Sequence, residues 1–83
     1  MVSCAMEMVE QFKCDGVKQS WCLLYERSND VLKVDMHHDG KDVPVAVFPS
    51  KSRTNYMATS NACKIRINPA PPAGSTINVL YES

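Results

Sequence analysis

Residues 31–40 read Val31-Leu32-Lys33-Val34-Asp35-Met36-His37-His38-Asp39-Gly40. Over residues 31–37 the apolar side chains Leu32, Val34 and Met36 alternate with Lys33, Asp35 and His37, a period of two that marks a strand with one face in a core. Asp39-Gly40 follows at once. An Asp-Gly pair next to an alternating segment is a strong hairpin signal, because both residues tolerate the positive φ of the tight turn. This stretch sets the fold class as β-rich and antiparallel.

Working downstream, residues 43–48 resume the β pattern but contain Pro44, which has no amide donor and so belongs on an edge or at a bulge. A polar loop is expected at 49–53, a weaker strand at 54–59 and a turn at Ser60-Asn61. Cys63, Ile65 and Ile67 then alternate with Lys64 and Arg66. Residues 68–75 contain Pro69, Pro71 and Pro72, which remove ladder donors and favour a stiff, extended connection. Ile77, Val79 and Tyr81 face one way and close the chain.

Working upstream, Trp21, Leu23 and Tyr25 share one face of residues 20–26, with Cys22 and Leu24 on the other. Both faces are apolar, so a central strand is expected. Ser28-Asn29-Asp30 reads as a turn. In residues 3–14, Ala5, Met6, Met8, Val9 and Phe12 recur at helical spacing against Glu7, Glu10, Gln11 and Lys13. Ser3 is a suitable N-cap and Asp15-Gly16 a suitable stop.

The predicted architecture is therefore α+β but mostly β. A short N-terminal helix at 3–14 precedes a five- or six-stranded antiparallel meander at 20–81, as an open curved sheet or a small barrel. Residues 1–83 are read as a single domain, since 83 residues that are 45% hydrophobic and 22% charged suffice for one core. No internal repeat is present.

Nine Lys and Arg balance nine Asp and Glu, which removes the long-range attraction that a binder of nucleic acid or anionic membrane carries. Glu7 and Glu10 interrupt the opening segment where a secretory signal needs an apolar run. No stretch approaches the roughly 20 apolar residues of a membrane span. Cys4, Cys14, Cys22 and Cys63 lack any C-x-x-C spacing, so neither a zinc ribbon nor a redox pair is suggested, although an even number permits two disulfides. Reduced thiols are the preferred reading, with Cys22 and Cys63 in core-like alternation.

Candidate chemistry is sparse. His37, His38 and Asp39 form a cluster, but neighbours in an extended segment diverge to opposite faces, so a solvated hairpin tip is preferred to a metal site. Asp35, Asp39 and Asp42 lack the order of a calcium loop. A cysteine nucleophile is not assigned, since Cys14, beside Lys13 at the end of the expected helix, is at the wrong pole of its dipole and Cys22 and Cys63 read as core. Lys51, Arg53, Lys64 and Arg66, with Tyr56 among them, form an acid-free segment of the kind that small barrels use to hold single-stranded nucleic acid. No catalytic residue, metal or cofactor is assigned, and the chain is read as non-enzymatic. The protein-binding surfaces expected are the helix stripe of Met6, Met8, Val9 and Phe12 and the strand edge at Pro44.

The stretch from Lys64 to Tyr81, Lys-Ile-Arg-Ile-Asn-Pro-Ala-Pro-Pro-Ala-Gly-Ser-Thr-Ile-Asn-Val-Leu-Tyr, resembles a strand, Pro-Ala-Gly loop and strand unit of small β-modules in bacteriophage virion proteins, such as tail-fibre and capsid-attached pieces. The resemblance implies a decoration, adaptor or fibre-associated protein, oligomeric or docked on a larger assembly, in the virion or host cytoplasm. It implies that residues 76–81 pair back into the same sheet, and it carries over no binding residue. The functional expectation is a small structural or accessory protein that binds another protein chain. The alternatives are a secreted, disulfide-stabilised effector or toxin and a single-strand nucleic-acid binder.

Overall fold

Alternation runs through nearly every described segment of the chain. The computed structural model describes residues 6–26, 31–49 and 53–83, and among these it contains eight strands and no helix. The strands are β1 (Glu7–Lys13), β2 (Ser20–Cys22), β3 (Lys33–His38), β4 (Lys41–Val43), β5 (Val45–Val47), β6 (Tyr56–Asn61), β7 (Lys64–Asn68) and β8 (Thr76–Glu82). They form two four-stranded sheets, in the orders β1-β8-β3-β4 and β2-β7-β6-β5, that share one hydrophobic core. The β5–β6 pair is parallel and the other ladders are antiparallel.

The side chains that alternation sends inward make this core. Val34 and Met36 of β3 and Ile77, Val79 and Tyr81 of β8 come from the first sheet. Trp21 of β2, Ala58 of β6 and Ile65 and Ile67 of β7 come from the second, with Leu23 just beyond β2. Ile65, Ile67, Ile77, Val79 and Tyr81 all have 0% exposure, and burying each such side chain contributes about 1.5–3 kcal/mol. Phe12 packs obliquely on Trp21, with ring centroids 6.2 Å apart. Among the described residues the buried Trp21 Nε1 has no hydrogen-bond partner, and what the indole contributes to them is packing.

The hairpin read at Asp39-Gly40 is present, joining β3 to β4, with φ of 52° at Asp39 and 73° at Gly40. Two positive φ values are the type I′ geometry whose twist matches that of the flanking strands.

Three expectations are corrected. The helix at 3–14 is replaced by strand β1 over Glu7–Lys13, with residues 1–5 outside the described residues. Met8, Glu10 and Phe12 are half-buried on its inner face, while Glu7, Val9, Gln11 and Lys13 face out. Glu10 stands in this inner row because it is satisfied there. Its two carboxylate oxygens accept the Leu24 amide at 3.0 Å, and the Tyr81 hydroxyl donates to Oε2. The single meander is replaced by two sheets, since the loop at 69–75 carries the chain from β7 in the second sheet to β8 in the first and the two strands do not pair. Finally, β2 is an edge and not a central strand, with Cys22 and Leu24 exposed on its outer side. The turn expected at 28–30 lies outside the described residues.

The link from β1 to β2 turns at Asp15, whose Oδ1 accepts the amides of Lys18 at 2.7 Å and Val17 at 2.8 Å. Those two bonds, Lys18 foremost, hold its carboxyl below the ordinary value. Gly16 follows with φ of 89°, and a Cβ there would stand 3.2 Å from the Ala73 nitrogen and 3.3 Å from its Cβ. At Gly40 a Cβ would meet open space. Both positions require the left-handed backbone that costs an L-residue about 1–2 kcal/mol. Urea denaturation is expected to show Gly40→Ala losing about that much and Gly16→Ala distinctly more, because Ala73 is backbone-anchored and cannot yield freely.

Burial, and then the bond to Glu10, push the Tyr81 hydroxyl up from 10.0 to about 12. The folded state thus keeps a proton that the unfolded chain releases near pH 10, so this contribution is complete below about pH 10 and is lost as pH rises through about 12. Tyr81→Phe is expected to cost about 1–3 kcal/mol at neutral pH. It is also expected to flatten the alkaline fall in stability, read by denaturant midpoints across that range.

Candidate functional site: a groove between two strand edges

Pro44 alone separates β4 from β5. Its ring fixes φ near −65°, and the chain passes there from the edge of one sheet to the edge of the other. The β3–β4 ladder accordingly ends at Met36↔Val43. Residues 33–35 of β3 keep β8 on one side, but no described strand lies on the other. Facing this vacated lane is β5, itself an edge. Between them lies an open groove of about 760 Å³, lined by the apolar Leu32, Val34, Met36, Val43, Val45 and Val47, with Lys33, Asp35, His37 and Asp42 on its polar side.

Both lips present backbone that no described strand pairs. Phe48 N donates to Ala58 O at 2.8 Å, in frame with the register Ala46↔Met57 and Val47↔Ala58. In such a parallel ladder alternate residues bond to one neighbour, so Ala46 faces β6 while the N–H and C=O of Val45 and Val47 point away from it. On β3 the two-residue turn makes His38↔Lys41 a hydrogen-bonded pair and Met36↔Val43 the next. The Val34 N–H and C=O therefore point into the lane that β4 leaves. The polar groups of the rim are paired, with Lys33 Nζ 3.5 Å from Asp35 Oδ1 and His37 Nδ1 2.6 Å from Asp42 Oδ1. Phe48, just past β5, is 62% exposed.

Of the protein-binding residues named from the sequence, Pro44 lies in this groove. Met8 and Phe12 instead pack half-buried against the core from β1, at the opposite edge of the first sheet from β4. Met6 and Val9 are exposed, at 65% and 66%. The basic set is also divided. Lys64 and Arg66 face out from β7 and, with Ser20, Thr59, Ser60 and Asn61, border a hollow of about 240 Å³. Tyr56 packs inward against the core, Arg53 is exposed in the loop before β6, and Lys51 lies outside the described residues. The hollow has no aromatic ring among its lining residues. The valines of the groove went unnamed from the sequence, where the available signal was Val45-Ala46-Val47 bracketed by Pro44 and Pro49.

His37 and His38 diverge as alternation requires, His37 exposed toward Asp42 and His38 half-buried. The His38 Nδ1 and the Ser75 hydroxyl are hydrogen-bonded at 3.0 Å, and His38 Nε2 stands 3.4 Å from Asp39 Oδ2. Ser, His and Asp in sequence suggest nucleophilic catalysis, but Ser75 has 0% exposure and no substrate carbonyl can reach its oxygen. The bond is a latch between the proline loop and the β3–β4 hairpin. Among the described residues no three His, Cys, Asp or Glu converge on a metal position. Of the cysteines described, Cys14 is buried, with desolvation and then Asp15 raising its thiol pKa, and Cys22 and Cys63 are exposed and not in core positions; all three are free. No family model, curated protein or solved structure matches the chain.

Ser75→Ala leaves His38 without its partner, and a stability loss of about 1 kcal/mol is expected in thermal or urea unfolding. The groove amides in an ¹H–¹⁵N spectrum are expected to stay in place.

Proposed function

We propose that this chain is a non-enzymatic protein-binding module that takes an extended segment of another polypeptide along the free edge of β5. What supports this reading is the outward-facing backbone of Val45 and Val47 beside a groove with apolar walls. Bare strand edges recruit strands, since main-chain hydrogen bonds give affinity and alternate side chains read the pockets between. The partner has the chemistry of the lane: an extended segment with apolar residues at every second position, seated over Leu32, Val43, Val45 and Val47. Phe48 extends the apolar surface at one end. A structural or accessory role on a larger assembly, as the C-terminal resemblance implies, is a setting in which such docking serves.

The nucleic-acid alternative gains little from the arrangement, because Tyr56 faces inward and the hollow beside Lys64 and Arg66 offers no ring for stacking.

The test is titration of the ¹⁵N-labelled chain with short peptides of alternating Val or Ile and Thr, against scrambled peptides containing proline. Amide shifts confined to residues 33–36 and 45–48 are expected. Val47→Pro removes an outward N–H that β6 does not use, and it is expected to weaken binding at least tenfold while the β6 amides hold their positions. Shifts spread evenly over the surface, or none at saturating peptide, would sink the proposal.

A further inference from the structure

β1 is the longest edge strand in either sheet, with seven residues, and its ladder to β8 runs without a break from Glu7↔Glu82 to Lys13↔Thr76. Ser83 N donates to Met6 O at 3.0 Å and Cys14 N to Ser75 O at 2.9 Å. Those bonds fix the phase of the ladder: the even-numbered residues of β1 turn their backbone groups to β8, so Glu7, Val9, Gln11 and Lys13 turn theirs outward. No described strand covers them. The edge contains no proline and no bulge, two of the devices that ordinarily stop strands from pairing, while a third, charge, is present as Glu7, Glu10 and Lys13.

We propose that this edge binds a second copy of itself, as an antiparallel β1–β1 pair about a two-fold axis at Glu10. The register follows from two requirements. A two-fold pairing centred on residue 10 opposes Glu7 to the second copy's Lys13 and Val9 to its Gln11, and the converse. It is the centring that uses all four outward N–H groups and all four outward C=O groups on each edge. It also places opposite charges together twice, whereas centring on Val9 leaves Lys13 unmatched and centring on Gln11 leaves Glu7 unmatched. On the inner face Met8 meets the second copy's Phe12, continuing the apolar row. Glu10 meets its own copy at the axis, and like charges directly opposite are unfavourable. Each Glu10 carboxylate is, however, turned back into its own sandwich by the Leu24 amide and the Tyr81 hydroxyl. The product is one continuous sheet across both copies, closed by symmetry. It involves β1 alone and is independent of the groove at β5.

Sedimentation velocity of the full chain over a concentration series reaching the millimolar range tests this. A reversible monomer–dimer equilibrium is expected. Glu7→Lys or Lys13→Glu alone sets like charges opposite at two symmetric contacts, and each is expected to raise the dissociation constant by roughly tenfold. The double reversal E7K/K13E is expected to restore it, which a merely destabilising pair of substitutions would not do. Val9→Pro removes an outward N–H that the β8 ladder does not use, and should give a monomer with an unchanged β-type circular dichroism spectrum. A monomer at every concentration, a dimer indifferent to the single reversals, or a double reversal that fails to restore it overturns the proposal. The charge variants decide the matter even where the proline variant does not fold.

Discussion

β8 is the strand on which the first sheet is assembled: β1 pairs along its whole length on one side and β3 on the other. Its inner row, Ile77, Val79 and Tyr81, has 0% exposure. Both ends are secured to other parts of the chain. At the start the Ser75 carbonyl accepts the Cys14 amide and its hydroxyl bonds His38. Near the finish the Tyr81 hydroxyl donates to Glu10 and accepts the Tyr25 amide at 3.3 Å. The separations in sequence are long, 67 residues between the bonded Gln11 and Asn78. Their entropic cost is nonetheless mild, since doubling a loop costs only about 0.6 kcal/mol and one buried aliphatic side chain returns about 1.5–3 kcal/mol. A row of three such side chains is enough to draw in a terminal strand that local preference alone would not place.

Against that fixed sheet, the crossing of the chain at Pro44 from β4 to β5 creates the open side of the molecule. Had the chain continued straight, β4 would have paired with β3 through residues 33–35 and the first sheet would present an ordinary closed flank. Instead the chain crosses to the second sheet, and it joins β6 in the parallel sense because it arrives already running in that direction. The parallel pair, the groove and the outward backbone of Val45 and Val47 are one consequence seen from three sides.

Much of this was legible. Residues 33–38 and 64–68 and the inner row of β8 declare themselves by strict alternation, and Asp39-Gly40 declares its turn. β1 misleads for a definable reason. Met8 and Phe12 are four apart and share a face in either a helix or a strand, so the decision falls on Val9 and Glu10. A helix groups Val9 with them, and a strand groups Glu10. Hydrophobicity favours Val9, but the chain takes the strand, because Tyr81 and Leu24, distant in sequence, satisfy a carboxylate in the inner row. The division into two sheets was hidden more deeply, since alternation shows which side of a strand meets the core and never which sheet the strand joins. The groove shares that obscurity: its walls come from β3 and β5, on different sheets, and only Pro44 hinted at it.

The four sheet edges are not equally exposed to pairing. β4 is three residues long, carries Lys41 and Asp42 and ends at a proline, and β2 is equally short. Shortness, charge and proline are the usual means of blunting an edge. β5 is short as well but is wholly apolar, and its lane is widened by the groove. β1 is long and unbroken, with acid at one end, Glu7, and base at the other, Lys13. A domain of this size buries a smaller share of its unfolded surface than a larger one. β5 and β1 thus differ in what stands along them: apolar pockets beside β5, and Glu7 and Lys13 at the two ends of β1.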